Sequence, residues 1–240
     1  MDYTAFERQL IISRNVFYTD YFLFICTLIS IYTCIIYLRK QERAVHFLVY
    51  SISAFILMND DYVLIFIGKG DLLPSWTLYE NLVFSLIELV IFGFFFKSVL
   101  RSRIVKKIID SIIAIYFASA LSSFVYGVWK NLTLEELLKF SDFLISAQLL
   151  FLFALCLVFY AELFFITTAR ESKRGASHWI VSGLFLYCSI IIPFFLLNTE
   201  LSETSKKLWN MAYAIHYTTF GLLFLSITKA LHVQKTLTIR

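Results

Sequence analysis

The sequence predicts an all-α, polytopic membrane protein: one seven-transmembrane helix bundle over residues 1–240, amino terminus outside and carboxyl terminus in the cytoplasm. Three observations predict it. Of the 240 residues, 60% are hydrophobic and only 16% are charged, against about 45–50% and about 25% in soluble domains. The apolar residues gather in runs of roughly 20, the length an α-helix needs to cross a hydrocarbon core of about 30 Å. Lys and Arg are divided unevenly between the breaks that separate those runs.

Taken in order, the runs place spans at 18–38, 44–67, 76–96, 108–128, 143–168, 179–197 and 208–231. The segment before the first, MDYTAFERQLIISRN, carries mixed charge and lacks the small-residue cleavage site of a secretory signal. Arg39, Lys40 and Arg43 break the first run from the second, and Gly68, Gly70 and Pro74 form a turn cluster before the third. A basic break at 97–107 precedes the fourth span. Thr133 followed by Glu136 fits a capping box, so the fifth span is expected to begin as helix outside the bilayer. Arg170, Lys173 and Arg174 precede the sixth span, and Ser202 is expected to cap the seventh. Pro193 lacks a backbone donor and is expected to kink the sixth.

Orientation follows from the cations. Fourteen of the 21 Lys and Arg residues fall on the side of the 39–43, 97–107 and 170–174 loops and the carboxyl terminus, which makes that side cytoplasmic. The net charge of +4 is therefore a topology signal, not a footprint for nucleic acid. Trp76, Trp129, Trp179 and Trp209 each fall at a span end, where amphipathic rings favour the interface. Cys26, Cys34, Cys156 and Cys188 all lie inside apolar runs without a CxxC, which indicates neither a disulfide framework nor a zinc site.

Polar residues inside the runs carry the functional expectations. A charged side chain at the bilayer centre costs about 2.5–3.5 kcal/mol on insertion scales, so it must face the bundle interior or water. Glu88 lies midway along the third span. Asn81 and Ser85 share its helix face at i, i+4, i+7 spacing, and Glu80 lies near that face toward the outer end. In the second span His46, Tyr50 and Ser53 form a stripe that is interrupted at Leu57 and then reaches Asp60 and Asp61. The fifth span offers Gln148 and, near its inner end, Glu162; the seventh offers Asn210, Tyr213, His216 and Tyr217. Glu88, Asn81, Glu80, Asp60, Asp61, Gln148, Tyr213 and His216 map to the middle or outer half of their spans, which predicts one polar cavity opening outward. The competing reading gives Asn81 and Ser85 to helix–helix bonding, Glu88 to packing as a neutral acid, and Asp60 and Asp61 to a hydrated vestibule.

Several chemistries are disfavoured. Haem held by two histidines needs a second histidine at the depth of His216, but His46, His178 and His232 lie at inner ends. The His and Asp count is too low for a membrane zinc hydrolase. Phe220 stands near the position where a retinal protein needs a lysine. No convincing three-helix repeat relates the two halves, and neither a P-loop nor a GxGxxG is present. No cofactor is expected. The inner loops are too short for a kinase or cyclase, so cytoplasmic output would pass through a separate partner.

Three stretches, LYENLVFSLIELVIFGFFFKSVLRS, HWIVSGLFLYCSIIIPFF and AIHYTTFGLLFLSITKAL, resemble small seven-span membrane proteins common in Bacteroidetes-type bacteria, across roughly residues 76–232. The resemblance matches an acidic residue in span three (Glu88), a Trp and Tyr in span six (Trp179 and Tyr187) and a His in span seven (His216). Ser177 and His178 stand where those proteins carry a proline before the tryptophan. The resemblance implies an input module that accompanies a membrane histidine kinase. The expectation is thus a bacterial inner-membrane sensory or signalling-accessory protein whose partners are membrane lipids and a kinase or other membrane protein. The alternative is a small transporter, or a lipid-modifying enzyme using Glu88, His216, Asp60 and Asp61.

Overall fold

In hydrocarbon an α-helix satisfies its own backbone N–H and C=O groups, so long apolar runs are driven to that conformation. The computed structural model describes residues 14–39, 41–57, 73–130, 134–165, 171–204 and 206–238. Among them are seven helices and no strand: α1 Arg14–Tyr37, α2 Glu42–Leu57, α3 Leu73–Val99, α4 Arg103–Lys130, α5 Leu134–Phe165, α6 Glu171–Thr204 and α7 Lys206–Thr238. Five of them, α1, α3, α5, α6 and α7, contain segments long and apolar enough to cross a membrane; α2 carries a shorter apolar stretch, Arg43–Leu57. Large apolar side chains such as Ile25, Tyr32, Ile115, Phe143 and Phe164 are exposed on the outside of the bundle, as expected of a membrane protein.

The helices pack as a closed ring in the order α1, α2, α3, α5, α6, α7 and back to α1, with α4 outside it in the angle between α3 and α5. The most extensive interface is between α6 and α7. Lipid tails are as apolar as leucine, so association depends on close packing, which small residues permit. A Cβ on Gly183 of α6 would lie 2.6 Å from Cβ of Ser226 on α7. A Cβ on Gly221 of α7 would lie 2.6 Å from Cε1 of Phe22 on α1.

Polar links stitch the ring. Ser30 and Ser51 hydroxyls meet at 2.8 Å between α1 and α2, and those of Tyr160 and Ser182 at 2.9 Å between α5 and α6. At the basic end, Gln41 Nε2 donates to the Leu231 carbonyl (3.1 Å) and Arg43 Nη1 donates to Ser177 Oγ (3.3 Å). The turn from α3 to α4 is held from both sides. Ser102 Oγ caps α4 by accepting the Val105 N–H, and the Glu162 carboxylate of α5 accepts the N–H groups of Arg101 and Ser102. Glu162 therefore acts on the free donors that any helix start presents.

Helix ends depart from the apolar runs. Helix α5 begins at Leu134, well before residue 143; Thr133, the expected cap, lies outside the described residues. Ser202 does not open the last helix: α6 continues through it to Thr204, and α7 begins at Lys206. Hydropathy marks where the apolar run stops, and backbone hydrogen bonding continues the helix past that point into a polar stretch. Helix α6 also runs without interruption through Pro193, which is exposed on its outer side.

The α6–α7 contact leaves no room at Gly183. Gly183→Val is expected to lower stability by about 1–3 kcal/mol through overpacking, read as a drop in the thermal midpoint in detergent. Gly175→Ala, whose new Cβ would have its nearest neighbour at 4.0 Å, should leave the midpoint unchanged or raise it. Equal effects at the two positions would contradict the close approach. Glu162→Ala is expected to speed hydrogen exchange at the Arg101 and Ser102 amides while leaving amides in the middle of α4 unchanged.

Candidate functional site

A carboxyl buried in an apolar bundle requires a hydrogen bond at each oxygen, because an unmet buried polar atom carries the full desolvation penalty. Glu88 of α3 is 2% exposed, and both requirements are met from other helices. The Tyr50 hydroxyl of α2 donates to Oε1 at 2.7 Å, and the Gln148 side-chain amide of α5 donates to Oε2 at 2.8 Å. Each bond to a charged group is worth about 1.5–3 kcal/mol. Among the described residues no Lys or Arg forms an ion pair with Glu88.

Aromatic packing fixes the donors. The Tyr50 ring stacks on Phe84 and Phe224 at centroid distances of 5.5 and 5.4 Å and meets Phe92 edge-on at 5.2 Å. One turn before Glu88, Ser85 Oγ lies 2.6 Å from the Tyr116 hydroxyl, which ties α4 to the same face of α3. Tyr187 and Cys188 of α6 are buried as well, and Tyr187 joins the aromatic cluster by stacking on Phe220 at 5.3 Å. The site is thus built by α2, α3 and α5, with rings from α7 beneath Tyr50 and Tyr187 of α6 behind them.

The hydrogen-bond pattern accommodates two proton states. Both carboxyl oxygens accept, which suits the ionised acid. Gln148 Oε1 is buried and has no partner. Rotating that amide by a half turn would present this oxygen to a protonated Glu88, which then becomes the donor. The same three side chains can therefore hold Glu88 with or without its proton.

A second layer surrounds His216 on α7. Its ring is boxed by Phe194, Phe195, Tyr187, Tyr213, Tyr217 and Phe220, with centroids between 5.6 and 6.1 Å. Its Nδ1 is buried without a hydrogen-bond partner. Tyr217 donates to the Tyr213 hydroxyl at 2.9 Å. Phe220 belongs to both layers: it stacks on Tyr187 at 5.3 Å and meets Tyr50 edge-on at 6.3 Å.

Of the residues singled out in the sequence, Glu88 and Gln148 come together directly, and Tyr213 and His216 form the adjacent layer. Asn81 and Glu80 are half-buried on α3 and take no part in the bonds to Glu88. Asp60 and Asp61 lie outside the described residues. From the second-span stripe only Tyr50 reaches the site; His46 is exposed and Ser53 half-buried. Tyr116, which bonds Ser85, is the neighbour that sequence reasoning missed. Its signal was present, since a tyrosine well inside an apolar run carries a hydroxyl that needs a partner there. Among the described residues no group of three or more His, Cys, Asp or Glu is arranged to hold a metal ion. Compared with protein-family models, curated proteins and solved structures, the chain gives no match.

The bond from Tyr50 can be isolated by a double-mutant cycle. Tyr50→Phe should cost about 1–3 kcal/mol of unfolding stability while Glu88 is present, and close to nothing in a Glu88→Leu background. The same cost in both backgrounds would show that the tyrosine hydroxyl acts elsewhere.

Proposed function

We propose that the protein is a seven-span sensory or signalling-accessory module of a bacterial inner membrane, with its amino terminus outside and Glu88 as its responsive centre. The observation that carries this reading is the buried carboxyl whose two oxygens are held by donors from two further helices. A proton or small polar ligand reaching Glu88 changes which bonds α2 and α5 make to α3, and so changes how three neighbouring helices pack. Such a device converts a local chemical event into a shift between helices, which is what a signalling element requires.

Direction supports the same reading. In this topology α7 enters from the outside, so the His216 layer lies on the outer side of Phe220 and Phe224, between Glu88 and the external medium. The expected outward cavity is then a path that opens through those aromatic side chains, and in this structure Glu88 is closed beneath them. The opposite end carries the cations and the polar links of Arg43, Glu162 and Gln41. That end would face a cytoplasmic or membrane partner, such as a histidine kinase.

In proteoliposomes, a step in external pH is expected to produce an infrared difference band from a carboxyl C=O that is absent in Glu88→Gln. An identical difference spectrum from a normally folded variant would remove Glu88 from the response. Turnover of lipid by the purified chain alone would favour the enzymatic alternative.

Orientation has a separate check, because the four native cysteines are all buried. A membrane-impermeant maleimide should label Leu208→Cys on intact spheroplasts, and Arg101→Cys only after permeabilisation. The reverse pattern would invert the topology.

A further inference from the structure

Between the end of α1 and the last turns of α7, a groove of about 370 Å³ opens on the outer surface of the bundle. Its walls are of two kinds. Ile36 and Leu225 supply apolar surface, while Thr33, Tyr37, Thr228, Lys229 and His232 supply polar groups at the end where α1 stops. This is remote from Glu88, and none of its liners enters the site described above.

We infer that this groove is a binding site for one anionic phospholipid of the leaflet at the basic end, its phosphate on Lys229 and His232 and an acyl chain along Ile36 and Leu225. Four observations converge. Lys229 Nζ lies 5.8 Å from the centre of the Trp179 ring, an amphipathic pair suited to headgroup depth. The Tyr37 hydroxyl and His232 Nδ1, 3.3 Å apart, hold the polar end of the groove in place. The Thr228 hydroxyl is buried there with no hydrogen-bond partner, so the polar end has an unfilled donor. Beyond the groove, Ile25, Ile29, Tyr32 and Leu222 are exposed on the two flanking helices, an apolar surface of the kind that acyl chains cover.

Charge selects the occupant. Arg39, at the end of the same turn, is exposed and adds to the positive field. Near a membrane surface each cation is worth about 1 kcal/mol toward anionic lipid. A zwitterionic lipid fills the same volume with its own cation facing Lys229, and free phosphate leaves the apolar wall uncovered. The orientation proposed above decides only that the leaflet is cytoplasmic; the groove and its test do not depend on it or on Glu88.

Native mass spectrometry of the full chain in mild detergent tests the assignment, with phosphatidylglycerol, phosphatidylcholine and inorganic phosphate as separate probes. The expected result is a saturable single adduct with phosphatidylglycerol, at least about fivefold tighter than with phosphatidylcholine and not displaced by equimolar phosphate. Lys229→Gln should weaken it about fivefold, and Thr33→Trp, which fills the groove, should abolish it. Lys97→Gln, in the last turn of α3, should change nothing. Equal retention of the two lipids, displacement by phosphate, or unaltered binding in both groove variants would each overturn the site. Circular dichroism of each variant confirms the fold, and if Thr33→Trp does not fold, Lys229→Gln decides.

Discussion

The two hydrogen bonds at Glu88 constrain the order of the helices around them. A donor at each oxygen must come from a helix in direct contact with α3, because neither Tyr50 nor Gln148 reaches across an intervening helix. That places α2 on one side of α3 and α5 on the other. Helix α4, which lies between α3 and α5 in the chain, is thereby excluded from the ring. It packs on the outside, joined to α3 by the Ser85 and Tyr116 hydroxyls and by the exposed ion pair of Lys97 with Asp110. Exposed ion pairs contribute at most about 1 kcal/mol, so the position of α4 rests on apolar contact and on the Glu162 clamp at its start.

Around the carboxyl the remaining volume is filled by rings. Phe84, Phe92, Phe220 and Phe224 each contact Tyr50, and Phe220 continues to Tyr187 and His216. Aromatic groups suit this position because they present flat, polarizable surface and offset or edge-on contacts worth about 0.5–1.5 kcal/mol beyond burial. They also keep water from the carboxyl, which strengthens the two hydrogen bonds it accepts. Gly183 and Gly221 then let α7 approach α6 and α1 closely enough to bring Phe220 and Phe224 beneath Tyr50.

Much of this was legible in the sequence, for identifiable reasons. The cost of a charge or an unpaired amide in hydrocarbon singles out Glu88 and Gln148 without knowledge of any contact. Periodicity put Tyr50 on a polar stripe but also put His46 and Ser53 there, since helix spacing fixes a face and not its partner. The exclusion of α4 was not legible, because local sequence does not record which helices are neighbours. Ser202 misled for a related reason: hydropathy marks where an apolar run ends, and the helix continues past that point. Asn81 sits on the same face as Glu88 yet two turns away, and a shared face over that distance of about 10 Å does not make a shared site.

Helix α2 connects the centre of the bundle to its basic end. Tyr50 and Arg43 lie seven residues apart on it, about 10 Å along the axis. The first holds Glu88, and the second holds Ser177 of α6 while its guanidinium lies 5.9 Å over Phe95 of α3. Just before α2, Gln41 is bonded to the Leu231 carbonyl of α7. Protonation of Glu88 weakens the charge-assisted bond to Tyr50, while the Ser30–Ser51 link and the attachments at the end of α2 remain. A shift of Tyr50 against α3 is then passed along α2, and its attachments to α6 and α7 carry the motion into the two helices with the most extensive shared interface. In the proposed mechanism the output is therefore a change in α6 and α7 at the basic end, beside the groove that α7 shares with α1. An anionic lipid seated on Lys229 would bear on that motion directly, since it joins α7 to α1 close to where Gln41 is bonded to α7.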